Sequence, residues 1–222
     1  FSAIIDVLDD IALAIEDIEE IQDEMSEQVD GIDEDLAELE KTVYENEDEI
    51  ALEIWETKKS AKVLIEIIKE AGITGMGGAG FPAHVKLSPP SDKKIDTIII
   101  NGAECEPYLT ADHRVMLEYT EKIVFGLKAI MKAVGVDRGI IGVEKNKQDA
   151  ILALREAVKN ESNIQVVTLK VKYPQGDEKR LINAILGRVV PSGGLPMDVV
   201  TIVCNASSTK AVADAILEGK PL

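Results

Sequence analysis

The stretch RGIIGVEKNKQDAILALREAVKNESNIQVVTLKV, residues 138–171, decides the fold. RGIIGVE (138–144) and IQVVTLKV (164–171) read as strands, and KQDAILALREAVK (147–159) between them reads as a helix. A strand, a crossover helix and a second strand make a parallel pair. Working outward, DEKRLINAILG (177–187) reads as a helix, DVVTIVCN (198–205) as a strand and STKAVADAILEG (208–219) as the closing helix. Upstream, IDTIIIN (95–101) is a buried strand and ADHRVMLEYTEKIVFGLKAIMKAVG (111–135) one long helix stopped at Gly135. AKVLIEIIKEAG (61–72) is an amphipathic helix ended by Gly72. The expectation is an α/β, Rossmann-like fold, a largely parallel sheet flanked by helices. In such sheets ligands sit outside the carboxyl ends of the strands.

The N-terminal part is of another kind. Ile4, Leu8, Ile11, Ile15, Ile18, Met25, Val29, Ile32, Leu36, Leu39 and Val43 repeat at alternating steps of four and three, interrupted at Gln22. That spacing predicts an acidic coiled coil or helical hairpin with a turn or weak point at Gly31. It reads either as an arm for homo-oligomers through residues 1–45 or as a solvated acidic helix with no specific partner. The seam fades over residues 45–60. The expected division is 1–58 for the acidic helical segment and 59–222 for the ligand-binding domain.

Charge follows the same division. Residues 1–50 hold 20 of the 41 Asp and Glu and one lysine, a net −19, so the rest of the chain carries +2 of the total −17. Neither part has the basic face that nucleic-acid binding needs. The longest apolar runs fall far short of the roughly 18 residues of a membrane span, so no direct membrane insertion is expected. Cys105 and Cys204 lack any C-x-x-C spacing, which fits a reducing, cytoplasmic setting. His84 and His113 have no metal-ligand spacing. A first residue of Phe1 reads as a fragment of a longer protein or an engineered piece.

Four blocks carry the chemistry. GITGMGGAGFPAHVK (72–86) satisfies G-x-G-x-x-G at Gly75, Gly77 and Gly80, but a helix and not a strand precedes it. It is either a tight turn or a loop whose backbone approaches a phosphate, with Lys86 to neutralise the charge. NGAECEPYLTADHR (101–114) places Asn101, Glu104 and Glu106 just after a strand, suited to sugar hydroxyls or an amide, or simply to solvent. In YPQGDEKRLINAILGRVVPSGGLP (173–196), Tyr173, Gly176, Asp177 and Glu178 stand between strand and helix, where acidic groups also complement a helix dipole. In CNASST (204–209), Asn205 ends the last strand and Ser207 or Ser208 can cap the closing helix.

Taken in order, GMGGAGFPAHVKLSPP, IINGAECEPYLTADHR, YPQGDEKRLI and VPSGGLPMDV resemble the RnfC subunit of the Rnf electron-transport complex. More distantly they resemble the NADH-binding flavoprotein subunit of respiratory complex I. The resemblance covers roughly residues 60–222. It implies a flavoprotein that accepts hydride from NADH onto FMN, in which the flavin carries the chemistry and the protein supplies position and polarity, with no side-chain acid, base or nucleophile. By position it assigns Gly75, Gly77, Gly78 and Lys86 to the FMN loop, and Asn101 and Glu104 to the second flavin loop. Tyr173, Gly176, Asp177 and Glu178 go to the face where flavin and nicotinamide meet, and Asn205 and Ser208 to the last flavin-contacting turn. Phe81, Glu106 and Glu178 fall at positions that contact NADH.

Three features depart from the family pattern. Met76 stands where complex I flavoproteins carry Arg, Asp177 replaces a small residue, and CNASS replaces Asn-Asn-Val-Gly-Thr. The extra carboxylate of Asp177 is expected to oppose an anionic flavin. The resemblance also implies other subunits of an Rnf-type complex as partners, a cytoplasmic location peripheral to the membrane, and iron–sulfur clusters only beyond residue 222. Two further readings stay open: an RnfC-like module of a cobalamin or amino-acid reductase, and a degenerate, non-catalytic scaffold that uses the acidic arm.

Overall fold

The structure, a computed structural model, describes residues 60–222. The expected acidic arm and most of the linker after it lie outside the described residues. Four strands, β1 (Thr97–Gly102), β2 (Gly139–Glu144), β3 (Ile164–Leu169) and β4 (Thr201–Asn205), form one parallel sheet in the order β3-β2-β1-β4. Helices α1 (Ala61–Glu70), α2 (Ala83–Lys86), α3 (Ala111–Glu118), α4 (Thr120–Val134), α5 (Gln148–Ala157), α6 (Glu178–Leu186) and α7 (Ala206–Leu217) surround it. Among the described residues no helix is long and apolar enough to cross a membrane.

The central strands β1 and β2 are buried along almost their whole length, which is why their sequences are continuous apolar runs. Ile99, Ile140 and Val203 sit side by side in register and pack with Leu181 and Ile182 of α6. On the opposite face Leu127 and Met131 of α4 close over Gly139. The core is aliphatic, as a chain with 4% aromatics requires.

Two expected elements come out differently. The single helix over 111–135 is two, because the backbone leaves helical geometry at Tyr119 (φ −129°, ψ 38°). The Thr120 hydroxyl donates to the Met116 carbonyl at 2.7 Å, and the Lys210 ammonium lies 4.4 Å from the centroid of the Tyr119 ring. A hydroxyl satisfying a carbonyl of the preceding turn and a cation held over the ring stabilise the bend. The strand over 198–205 begins only at Thr201. Residues Pro196–Val199 form a 3-10 turn, closed by the Asp198 carboxylate, which accepts from the Leu195 N–H at 2.8 Å, and Val200 follows at φ 56°.

Helices α4 and α7 meet backbone to backbone at Gly126, where an added Cβ would lie 2.2 Å from the Thr209 carbonyl oxygen. No side chain fits without moving one helix. Gly126→Val should therefore cost about 2–3 kcal/mol of stability or more, the range for overpacking a close-packed interior. Urea denaturation followed by circular dichroism measures it. An unchanged midpoint would mean the helices do not touch there.

Candidate functional site

Parallel pairing sets Asn101, at the end of β1, beside Asn205, at the end of β4. Around these two amides the structure gathers the four blocks. The glycine loop is tied at its neck by two backbone hydrogen bonds, which together make one antiparallel bridge. Ala83 donates its N–H to Ile73 and Gly75 to Phe81, both at 2.9 Å, and the bridge pairs Thr74 with Pro82. Its apex, residues 76–80, is exposed.

Ser208, expected to cap the closing helix or touch flavin, is not the cap; it clasps this loop. Its hydroxyl accepts from the Met76 N–H at 2.9 Å and donates to the Thr74 carbonyl at 3.0 Å. The cap of α7 is Asn205, whose Oδ1 accepts from the Ser207 and Ser208 N–H groups at 2.8 and 3.2 Å. Gly77 lies against the same amide: an added Cβ would stand 2.8 Å from Asn205 Nδ2.

The other two blocks join from the β1 side. Asn101 donates its Nδ2–H to the Gly176 carbonyl at 2.9 Å, and its Oδ1 accepts from the Ala103 N–H at 3.1 Å. The 103–105 and 175–177 segments touch so closely that a Cβ on Gly176 would meet the Ala103 carbonyl at 2.4 Å. Glu178 reaches across to Lys86 at 2.6 Å, tying the end of the glycine block to the start of α6. Gly77, Asn101 and Glu178 are thus linked through neighbours on one sheet edge.

Several of the sequence-assigned carboxylates already have work inside the protein. Glu104 accepts from the Asp112 N–H at 3.0 Å and the His113 N–H at 3.4 Å, and so serves the first turn of α3. Asp177 is the N-cap of α6 and accepts from the Arg180 N–H at 3.0 Å. The charge expected to oppose a flavin is therefore partly offset by a helix N-terminus. Glu106 pairs with Tyr173, and its carboxylate raises the phenol above its ordinary range. Phe81 and Tyr173 are both more than half exposed at the rim, and Gly78 has open space around it.

Sequence reading missed three groups here. Asp112 accepts from Asn205 Nδ2–H at 2.7 Å and from the Ser207 hydroxyl at 2.6 Å. Lys147, 5% exposed, donates to Glu144 at 3.1 Å and to the Glu104 carbonyl at 3.3 Å, bracing the second loop from β2. Gln175 is 1% exposed, and neither of its amide atoms has a partner among the described residues. An acid in a helix's first turn reads only as a dipole complement, so no local signal marked Asp112.

Residues 68–214 match the family model described as the Nuo51 FMN-binding domain. The chain belongs to that family. Among its curated relatives is a component of the proton-translocating ferredoxin:NAD(+) oxidoreductase complex of Clostridium ljungdahlii. It is 55% identical over 73% of this chain and 35% of its own length. The matching component of the Na(+)-translocating ferredoxin:NAD(+) oxidoreductase complex of Acetobacterium woodii is 54% identical over 73% of this chain and 37% of its own. The chain therefore spans about a third of the length of these relatives. The crystal structure of NAD+-reducing [NiFe]-hydrogenase in the air-oxidized state superposes with a TM-score of 0.63. The match covers 75% of this chain and 34% of that one at 23% identity, which is a likeness of fold.

At this edge backbone and side-chain amides lie close together, with Lys86 at the end of the glycine block. The Cys204 thiol stands behind that edge. Burial pushes it up to about 11; the Lys86 ammonium pulls the other way and Glu178 adds to the rise. At pH 8 almost no thiolate forms, and the thiolate is the nucleophile. Cys204 should stay unlabelled by iodoacetamide at pH 8 in the native protein and react once it is unfolded, as read by peptide mass spectrometry. Rapid native labelling would contradict the raised thiol of this half-buried cysteine.

Proposed function

We propose that the edge formed by residues 73–83, 101–106, 173–178 and 205–208 binds FMN and accepts hydride from NADH, as part of an Rnf-type electron-transport complex. The observation that carries the proposal is the meeting of Gly77 with Asn205: backbone without a side chain lies directly on an amide, beside the mouth of a parallel sheet. Such a contact leaves the loop's outer face free for a phosphate or an aromatic ring.

The residues fit the group. Gly77 and Gly78 give backbone access, Lys86 brings an ammonium shared with Glu178, and Asn101 and Asn205 supply fixed amides. Glu106 and Tyr173 pair at the surface and Phe81 is exposed on the glycine block, groups that a nicotinamide nucleotide can meet. FMN, when bound, supplies the hydride-accepting ring. The chain's own residues position it: Ser208 holds the glycine loop onto α7, and Lys147 holds the Glu104 carbonyl of the second loop.

NADH as substrate, the other subunits of an Rnf-type complex as partners and a site at the cytoplasmic face of the membrane follow from the same reading. The relatives named as parts of ferredoxin:NAD(+) oxidoreductase complexes support it. Onward electron carriers belong to segments and subunits other than the described residues.

Titration with FMN, followed by NADH under anaerobic conditions, tests the proposal. Quenching of flavin fluorescence at micromolar protein and loss of the yellow absorbance on adding NADH are expected. A protein that leaves micromolar FMN free would overturn the reading and favour the scaffold role. Gly77→Val, which drives methyl groups into Asn205, should weaken FMN about tenfold or more, a loss of about 1.4 kcal/mol or more. Unchanged circular dichroism would show that the fold survives.

A further inference from the structure

Asn205 is held by an arrangement that leaves its amide only one orientation. Its Oδ1 accepts from two N–H groups at the start of α7, and its Nδ2 donates to Asp112 Oδ2 at 2.7 Å. Turning the amide over would set its oxygen against the carboxylate and its NH2 against the N–H groups of the helix. Both contacts would be repulsive. Asp112 itself is fixed from the other side, because its Oδ1 accepts from the Ser207 hydroxyl at 2.6 Å. A primary amide carries two N–H donors. One is spent on Asp112, and the other has no acceptor among the described residues although the nitrogen lies against Gly77.

We infer that Asp112 is a positioning residue: it locks Asn205 so that an N–H donor, never a carbonyl, faces the glycine loop and meets an acceptor oxygen of the bound ligand. This rests on the flavin reading of the site, where that oxygen belongs either to the phosphate or to the ring. Asp112 acts through Asn205. Its effect is therefore on which hydrogen-bonding group the pocket presents, and on affinity.

Three variants of the whole chain, titrated with FMN and with riboflavin, test the inference. Asp112→Ala removes the restraint on Nδ2, leaving the amide held only by its oxygen at the helix start, and should weaken FMN about tenfold. D112N should bind nearly as the wild type does, because its side-chain oxygen still accepts from Asn205 and its NH2 can donate to the Ser207 oxygen. The D112N/N205D double variant keeps both the pair and the α7 cap but reverses the donor. It should melt close to the wild type yet bind FMN at least about tenfold more weakly. A role in stability alone predicts that this swap is neutral. Loss confined to FMN would identify the phosphate as the acceptor, and equal loss for riboflavin would identify the ring.

Wild-type FMN affinity in Asp112→Ala or in the swap overturns the inference, as does a D112N as weak as the alanine variant. A ligand-free measurement separates its failure from that of the flavin reading. In 15N-labelled protein the Asn205 side-chain amide, assigned by its absence in Asn205→Ala, should exchange slowly in the wild type and quickly in Asp112→Ala. If no FMN binds but this difference holds, the lock stands and the flavin reading falls. If the two proteins exchange alike, the lock falls.

Discussion

Everything at the mouth of this sheet depends on the pairing of β1 with β4. That pairing sets Asn101 and Asn205 side by side, although they are far apart in sequence. Each amide then organises one half of the site. Asn101 ties the second loop to Gly176, while Asn205 caps α7 and bears on Gly77. A parallel strand cannot slip by one residue without exchanging its two buried faces. The registers of Ile99 with Ile140 and Val203 therefore fix the positions of the two asparagines at the same time.

The mouth is rich in carboxylates, yet several of them are consumed by the protein. Glu104 serves α3, Asp177 serves α6, and Asp112 faces the first turn of α7. Setting carboxylates at helix N-termini offsets their charge where an anionic ligand would otherwise meet it. Glu178 is matched by Lys86 and Glu144 by Lys147. Of these two pairs the second is nearly dry, so desolvation offsets much of its attraction, and its lysine also holds a neighbour. That neighbour is the Glu104 carbonyl, the backbone of the loop that carries Glu106.

How much was legible in the residues varied with the range of the cause. Gly135 and Gly187 stop helices where their position in sequence said they would, because a left-handed residue after a helix is a local matter. The break at Tyr119 was hidden, since the apolar period runs straight through it and the bend is stabilised by a hydroxyl and by a lysine on another helix. Val200 was hidden for a similar reason. It reads as strand by side-chain type, but Asp198 folds the preceding turn. Ser208 read as a possible cap, and its hydroxyl bonds Met76 and Thr74 across the molecule while Asn205 caps the helix.

By itself, then, the sequence determined the alternation of strands and helices, the aliphatic core and the identity of the four loops that carry polar residues. These follow from hydrophobic period and turn chemistry, both of which act over a few residues. Only the tertiary structure decided which oxygen each polar group would find. Asp112 meets Asn205, Lys147 meets the Glu104 carbonyl, and Ser208 meets the glycine loop. Hydrogen bonds are set by positions in space to within fractions of an ångström. Those positions exist only once the sheet has brought the ends of its strands together.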